Sequence, residues 1–139
     1  MKTVIRSYGI GNDYMKEMRI IVAGSRDFKN YDLLFEKLKD YLQYADPNQI
    51  KFISGTARGA DKLGEQFAYN CGYEVIRFPA KWDELGKRAG WVRNAEMAKY
   101  AAEKNGVLFA FWDGKSRGTK NMIDLANRYG LEVHVVNYD

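Results

Sequence analysis

Three short segments of this chain combine glycines, hydroxyl side chains and arginines, which is the chemistry of an anion-binding turn. They are Gly24-Ser25-Arg26-Asp27, Ser54-Gly55-Thr56-Ala57-Arg58-Gly59-Ala60-Asp61 and Asp113-Gly114-Lys115-Ser116-Arg117-Gly118-Thr119. Each follows an apolar run that is typical of a buried strand. Glycine lets backbone N–H groups approach an anion, and arginine adds a charged planar fork that suits phosphate. The three segments therefore predict a site for a nucleotide or a sugar phosphate.

The residue order in the second segment excludes two common nucleotide-binding motifs. Its second glycine, Gly59, is followed by Ala60 and Asp61, so the G-x-x-x-x-G-K-[ST] loop of P-loop NTPases is absent. The G-x-G-x-x-G spacing of dinucleotide-binding domains is absent as well. P-loop ATP hydrolysis and dehydrogenase-type NAD binding are therefore disfavoured.

The first and third segments also have ordinary structural interpretations. Asp27 either caps the following helix or accepts a hydrogen bond from a ribose hydroxyl. Thr119 is a plausible N-cap residue of the helix that follows the third segment. A plain strand–helix turn explains the first segment about as well as a ligand does, but three such turns at one sheet edge favour the ligand.

Further candidate residues lie between the second and third segments. Trp82, in a polar loop, suits stacking on a base, whereas Trp91 fits the core equally well. Arg93 and Asn94 lie in the first half of a helix, where an exposed arginine is the ordinary expectation. Carboxylate chemistry would fall to Asp61 or Asp113, with Arg93 as the third catalytic candidate. The chain has one His and one Cys, so these side chains alone build no zinc site, and we expect no metal.

The elements that position these residues alternate along the chain. Apolar runs predict strands at about 19–23, 49–54, 74–78, 107–112 and 132–137, and helical spacing predicts helices at about 30–44, 60–70, 89–103 and 119–129. This alternation predicts an α/β fold: a single Rossmann-like three-layer domain with a mostly parallel five-stranded sheet and helices on both faces. The strand order cannot be read from it. We expect residues 1–17 to be an extension, partly ordered at best or forming an edge strand at Thr3-Val4-Ile5, and residues 18–139 to form the domain.

Composition limits the class of protein. A chain of 139 residues with 46% hydrophobic and 29% charged residues suits one globular domain. The net charge is +4, and the basic residues are scattered along the chain. This favours a small phosphorylated ligand as the partner, with nucleic acid as the less favoured alternative. No membrane span or secretory signal is evident. The lone Cys71 fits a buried structural thiol and a cytoplasmic protein.

Five ordered motifs carry a resemblance to a known superfamily. They are Gly24-Ser25-Arg26-Asp27-Phe28, the segment from Ser54 to Asp61, Phe78-Pro79-Ala80-Lys81-Trp82, Ala89-Gly90 with Arg93-Asn94 and Met97, and the segment from Asp113 to Thr119. Together they resemble the SLOG superfamily of Rossmann-like domains, and most of all its YspA-like, YpsA-related branch, frequent in bacteria and phages. The resemblance makes residues 18–139 a SLOG-like domain and implies a homodimer or higher homo-oligomer.

The resemblance also implies three functions. SLOG members include the LOG phosphoribohydrolases, which remove the base from a nucleoside monophosphate, the DprA proteins, which bind single-stranded DNA, and presumed sensors of nucleotide-derived ligands. By similarity to the LOG motifs, Arg93 lines the site and Gly118-Thr119 bind phosphate. After Gly118-Thr119, however, this chain has Lys120-Asn121-Met122 where LOG enzymes carry glutamates. A hydrolase of this kind needs a carboxylate. We therefore expect a module that binds a nucleotide-type ligand, with no certain cofactor; phosphoribohydrolase activity is the first alternative and single-stranded DNA binding the second.

Overall fold

A five-stranded, fully parallel sheet forms the centre of the computed structural model, which describes residues 17–138. The expected strand at Thr3-Val4-Ile5 and most of the proposed extension lie outside these residues. The strands run in the order β3-β2-β1-β4-β5. Their bounds are β1 Met18–Gly24, β2 Ile50–Ser54, β3 Glu74–Arg77, β4 Asn105–Trp112 and β5 Glu132–Asn137.

Helices cover both faces of the sheet, which confirms the α/β fold predicted from the sequence. Their bounds are α1 Tyr31–Leu42, α2 Ala60–Cys71, α3 Trp82–Leu85, α4 Ala89–Ala102 and α5 Arg117–Arg128. Short 3₁₀ turns occupy Pro47–Gln49 and Gly86–Arg88. Because α3 and the start of the second 3₁₀ turn lie within residues 79–87, the polar loop predicted around Trp82 is partly helical.

Two apolar layers hold the helices to the sheet, because successive strand residues point to opposite faces. Ile20 and Val22 of β1 pack with buried residues of α1 and α2. Ile21 and Ala23, the alternate residues, pack with buried residues of α4 and α5. The central strand β1 is therefore buried on both sides, as its continuous apolar sequence requires.

The strand order creates a crevice at the centre of the sheet. The chain proceeds outward from β1 through β2 to β3, and then returns to the other side of β1 to form β4 and β5. The connections that follow β1 and β4 consequently diverge, which leaves an opening above the carboxyl ends of these two strands. Open α/β sheets bind their ligands at such a switch point.

Three local interpretations of side chains were wrong, one of them the capping alternative for Asp27. Asn30, not Asp27, caps α1 by accepting the N–H of Leu33 at 3.0 Å. Ser116, not Thr119, caps α5, so this helix begins at Arg117 rather than at residue 119. The Cys71 thiol is exposed at the last residue of α2, where the helix has already passed the apolar layer.

Within residues 17–138, the helices are all too short or too polar to cross a bilayer.

Candidate functional site

A cleft of about 480 Å³ opens at the carboxyl ends of β1 and β4, at the switch point of the sheet. Four parts of the chain build it: the turn after β1, the loop between β2 and α2, the region of α3 and α4, and the turn between β4 and α5. The cleft collects most of the residues that the sequence predicted for the site: Gly24, Ser25, Arg26, Arg58, Asp61, Trp82, Arg93, Asn94, Asp113, Ser116, Gly118 and Thr119.

The remaining predicted residues lie beside the cleft. Gly55 and Thr56 line an adjoining depression of about 330 Å³. Gly59 and Arg117 line neither the cleft nor the depression. The three turns predicted from the sequence therefore do converge, although not every residue within them faces the opening.

Two of the predicted glycines serve packing inside the protein. A Cβ at Gly24 would lie 2.3 Å from the carbonyl oxygen of Phe111, on the neighbouring strand β4. A Cβ at Gly59 would lie 2.4 Å from the carbonyl oxygen of Ser25, and Gly59 has φ +85°. These glycines bring the turn after β1 against β4 and against the start of α2, so they shape the cleft through close backbone contacts.

A hydrogen-bond network holds the turn between β4 and α5. The Asp113 N–H donates to the buried Ser25 hydroxyl at 3.3 Å, which links this turn to the end of β1. One Asp113 carboxylate oxygen accepts the N–H groups of Lys115 and Ser116, each at 2.8 Å. Both N–H donors lower the pKa of the Asp113 carboxyl group, and the Ser116 N–H has the largest effect. Asp113 thus supports the turn structurally, which makes it the weaker of the two carboxylate candidates.

The first turn of α5 presents an open surface to the cleft. The Ser116 hydroxyl accepts the Thr119 N–H at 3.3 Å and lies 3.0 Å from the Thr119 hydroxyl. A Cβ added at Gly118 would meet nothing within 4 Å. The backbone at Gly118 is therefore accessible from the cleft, and the N-terminal end of the helix dipole is directed there.

The loop after β2 contains a strained residue. Thr56 has φ +64°, a left-handed conformation that is costly for a β-branched side chain. Its N–H donates to the Ser54 hydroxyl at 3.0 Å, and that hydroxyl donates to Glu65 at 2.6 Å. The neighbouring Ala57 N–H donates to Asp61 at 3.2 Å. These contacts fix the loop in a shape that its sequence alone would not favour.

Arg93 is buried, contrary to the ordinary expectation for a helix arginine, with only 9% of its surface exposed. Its Nη1 donates to the Gly55 carbonyl, and its Nε donates to Asn94 Oδ1 at 3.0 Å. A Cβ at Gly55 would lie 2.8 Å from Nη1, so this glycine provides the space for the guanidinium. Nη2 has no hydrogen-bond partner within residues 17–138. Every fully buried side-chain nitrogen in those residues has a partner, so Nη2 is accessible to solvent where Arg93 lines the cleft and the adjoining depression.

Asn94 connects Arg93 to α5. Its Nδ2 donates to the Gly118 carbonyl at 3.3 Å and to Asn121 Oδ1 at 2.9 Å. Both ends of the Asn94 amide are therefore in use, and the side chain is 7% exposed. Asn94 is placed to position Arg93 and the start of α5 relative to each other.

Asp61 is the buried carboxyl group of the cleft, with 5% of its surface exposed. Burial raises its pKa to about 6, because desolvation disfavours the charged form. The positive charge of Arg93 and the Ala57 N–H oppose this shift of the Asp61 pKa. Desolvation in turn lowers the pKa of Arg93, against the effect of Asp61. A carboxyl group that titrates near pH 6 inside a cleft is suited to proton transfer.

Comparison with known proteins places the chain in a family. Residues 18–85 match the YspA, cpYpsA-related SLOG family. Gene 61 protein of Mycobacterium phage D29 is 32% identical over 120 residues, which cover 83% of this chain and 93% of the phage protein. The chain belongs to the SLOG family. This confirms the resemblance inferred from the motifs.

A solved structure shows the same fold as this SLOG chain. DNA processing protein A (DprA) from Streptococcus pneumoniae superimposes with a TM-score of 0.64 at 18% sequence identity. The match covers 92% of the present chain and 53% of the DprA chain. This SLOG chain thus spans about half the length of DprA, and at this identity the likeness extends to the fold alone.

Several residues lining the SLOG cleft were not predicted as site residues. Lys87 and Trp91 lie at its rim, and Met97 and Met122 form part of its floor. Met97 belongs to the motif around Arg93-Asn94, but nothing in the sequence showed that the apolar layer containing Met97 reaches the cleft. Lys87 lies in a segment predicted to be a loop, so only its 3₁₀ turn brings it toward the cleft. Within residues 17–138, no cluster of His, Cys, Asp and Glu side chains has the arrangement of a metal site.

Proposed function

We propose that this SLOG protein binds a nucleotide or nucleotide-derived phosphorylated ligand in the cleft, as a sensor or ligand-binding module. The largely buried Arg93 carries the proposal, because it lines the cleft and its solvent-accessible Nη2 has no hydrogen-bond partner in the described chain. A guanidinium that is held in place by the protein and presents unused donors to an open cleft is suited to bind an anionic oxygen. The phosphate of a nucleotide supplies such an oxygen.

Two exposed arginines support a phosphate position beside Arg93. Arg26 and Arg58 line the cleft, and neither has a hydrogen bond or ion pair with any residue of 17–138. Arg26 also lowers the pKa of Arg93, so these like charges are held close together. An anion bound between them would relieve this repulsion and could also contact the open backbone at Gly118.

Two exposed tryptophans at the rim support a position for a base. Trp82 is 50% exposed and Trp91 is 53% exposed, and both line the cleft. About half of each side chain is exposed beside the cleft, so both indole rings are available for stacking. Stacking of a base on such a ring is worth about 1–3 kcal/mol.

Phosphoribohydrolase activity on a nucleoside 5′-monophosphate is the second candidate, and Asp61 is the observation that favours it. Asp61 lines the cleft next to Arg93 and has a pKa raised to about 6. Lys120-Asn121-Met122 do not supply another carboxylate, and the Oδ1 of the Asn121 amide accepts from Asn94. Asp61 would then activate water, while Arg93 would orient the substrate.

One screen distinguishes these functions. The protein is incubated with AMP, ADP, ADP-ribose, NAD and short single-stranded DNA, and the melting temperature and the release of free base are recorded together. Stabilisation by nucleotides without base release supports the binding module. Base release that Arg93→Ala abolishes supports the hydrolase. Tight oligonucleotide binding that weakens steeply with salt would instead support a DNA-binding function, as the name of the DprA neighbour suggests.

A pair of arginine variants tests the position of the site. We expect Arg58→Ala to weaken nucleotide binding at least tenfold, because a charge-assisted contact worth about 1.4 kcal/mol is lost. Arg128→Ala removes an equally exposed arginine at the far end of α5 and should leave binding unchanged. Failure of every nucleotide to shift the melting temperature, together with no effect of Arg58→Ala, would refute the phosphate site.

A further inference from the structure

The cleft and the adjoining depression form one continuous, two-part surface. Five residues line both spaces: Arg26, Ala57, Arg58, Trp82 and Arg93. The cleft measures about 480 Å³ and the depression about 330 Å³. Each volume alone falls in the range of about 300–1,000 Å³ that is typical of pockets for small molecules. A nucleoside monophosphate in the cleft would leave the second space empty.

The strand order explains why the two spaces lie side by side. The cleft lies above the carboxyl ends of β1 and β4, whereas the depression is bordered by Gly55 and Thr56 after β2 and by Pro79 and Ala80 after β3. Because the strands run in the order β3-β2-β1-β4, the second space continues the first along the same edge of the sheet. The shared residues therefore stand between two neighbouring compartments.

The arginines of the two spaces are concentrated in the wall that the spaces share. Three of the five shared residues are arginines, whereas the residues that line only the depression are Gly55, Thr56, Pro79 and Ala80, all uncharged. Within residues 17–138, Arg26 and Arg58 have no hydrogen-bond or ion-pair partner, and the Nη2 of Arg93 has no hydrogen-bond partner. A ligand that matches this surface has its negative charge against the three arginines and an uncharged group in the depression. The cleft beyond the arginines carries Lys87 with Asp27, Asp61 and Asp113, so it suits a polar group with hydrogen-bond donors.

We propose that the site takes a two-armed ligand, in which two nucleoside- or sugar-sized groups are joined through phosphate. The phosphates contact Arg26, Arg58 and Arg93, one arm occupies the cleft, and the other occupies the depression. Trp82 borders both compartments and contacts whichever arm carries a base near the wall. This inference rests on the proposed function, and it names the ligand class.

A comparison of ligands on the unmodified protein tests the second arm. ADP and ADP-ribose both carry a diphosphate, but only ADP-ribose has a second sugar, so the pair isolates the contribution of that arm. The second comparison is between a linear diadenosine phosphodiester and AMP, and it tests two arms joined through a single phosphate. We expect at least one two-armed ligand to bind at least tenfold more tightly than its one-armed partner, measured by calorimetry. Equal affinities within both pairs would overturn the inference and leave the proposed function intact, whereas failure of all four ligands to bind would refute both.

Variants that fill one compartment at a time give a second test. Ala80→Phe places a large ring in the depression, and we expect it to remove the tenfold advantage of the two-armed ligand while affinity for ADP or AMP is kept. Gly118→Ala adds a methyl group only in the cleft and should weaken both ligands of a pair. Ala102→Phe, at the exposed end of α4, is the matched control and should change neither. An Ala80→Phe protein that melts normally and keeps the full advantage would contradict the proposed position of the second arm.

Discussion

At the scale of single residues, Asp61 and Arg93 show how the cleft is prepared for a ligand at some cost to the fold. Both are largely buried, and both lie against Gly55, whose missing side chain provides their space. Burial raises the pKa of Asp61 to about 6, although Arg93 and the Ala57 N–H favour the ionised form. The ionised carboxylate is therefore destabilised overall, which is typical of residues retained for function.

Asp61→Asn should reveal this cost through its pH dependence. The folded protein binds the Asp61 proton more tightly than the unfolded chain, so this contribution is favourable below about pH 4 and is lost as the pH rises through 6. A shift from the ordinary value of 3.8 to about 6 corresponds to about 3 kcal/mol. Asparagine keeps an acceptor for the Ala57 N–H. We expect Asp61→Asn to be more stable than the wild type by up to about 3 kcal/mol at pH 7.5 and nearly equal to it at pH 4, by urea unfolding.

The exposed Asp124 provides a control for this variant. Asp124 pairs with Lys120 at 3.0 Å across one turn of α5, and both side chains are more than half exposed. Asp124→Asn should therefore change the unfolding free energy by no more than about 0.5 kcal/mol at any of these pH values. A lower stability of Asp61→Asn than of wild type at pH 7.5 would show that pairing with Arg93 outweighs the cost of burial.

At the scale of elements, the cleft depends on how closely the turn after β1 approaches the start of α2. Gly59 precedes α2 with φ +85° and ψ −130°, a conformation that is essentially limited to glycine. The side of Gly59 Cα that would carry a Cβ faces the backbone of Ser25 and Arg26. The Ser25 carbonyl accepts the Ala60 N–H at 3.4 Å. Any side chain at this position would push the two elements apart.

Two Gly→Ala variants test that junction with the same chemical change. Gly59→Ala would place its Cβ 2.4 Å from the Ser25 oxygen, and we expect a loss of about 2–4 kcal/mol in the free energy of unfolding. Gly118→Ala adds its Cβ to open space in the first turn of α5, where alanine favours the helix by up to about 1 kcal/mol. Urea unfolding curves measure both. Equal midpoints for Gly59→Ala and the wild type would mean that the junction does not need glycine.

At the scale of the whole molecule, the sequence determined the elements better than their arrangement. The alternation of apolar and amphipathic segments was enough to predict five strands with helices on both faces. The spacing of apolar residues along each element indicates whether it is a strand or a helix and which side is buried. The order β3-β2-β1-β4-β5 depends on crossovers and packing between distant segments, which no local period encodes. The burial of Arg93 was missed for the same reason, since its acceptor, the Gly55 carbonyl, lies 38 residues away in the sequence.

Ligand binding should divide the molecule into a protected edge and an unaffected one. A ligand at about 100 times its Kd stabilises the folded state by about 2.7 kcal/mol, and this slows equally all amides that exchange only through global unfolding. Amides that exchange through local opening respond only where the ligand prevents that opening. With the tightest-binding nucleotide, we therefore expect extra protection at residues 55–61 and 113–119, measured by hydrogen–deuterium exchange. Residues 46–49 precede β2, and residues 103–105 lead into β4. Both segments lie at the opposite edge of the sheet, so the local exchange of their amides should be unchanged. Protection confined to that opposite edge would place the ligand outside the cleft.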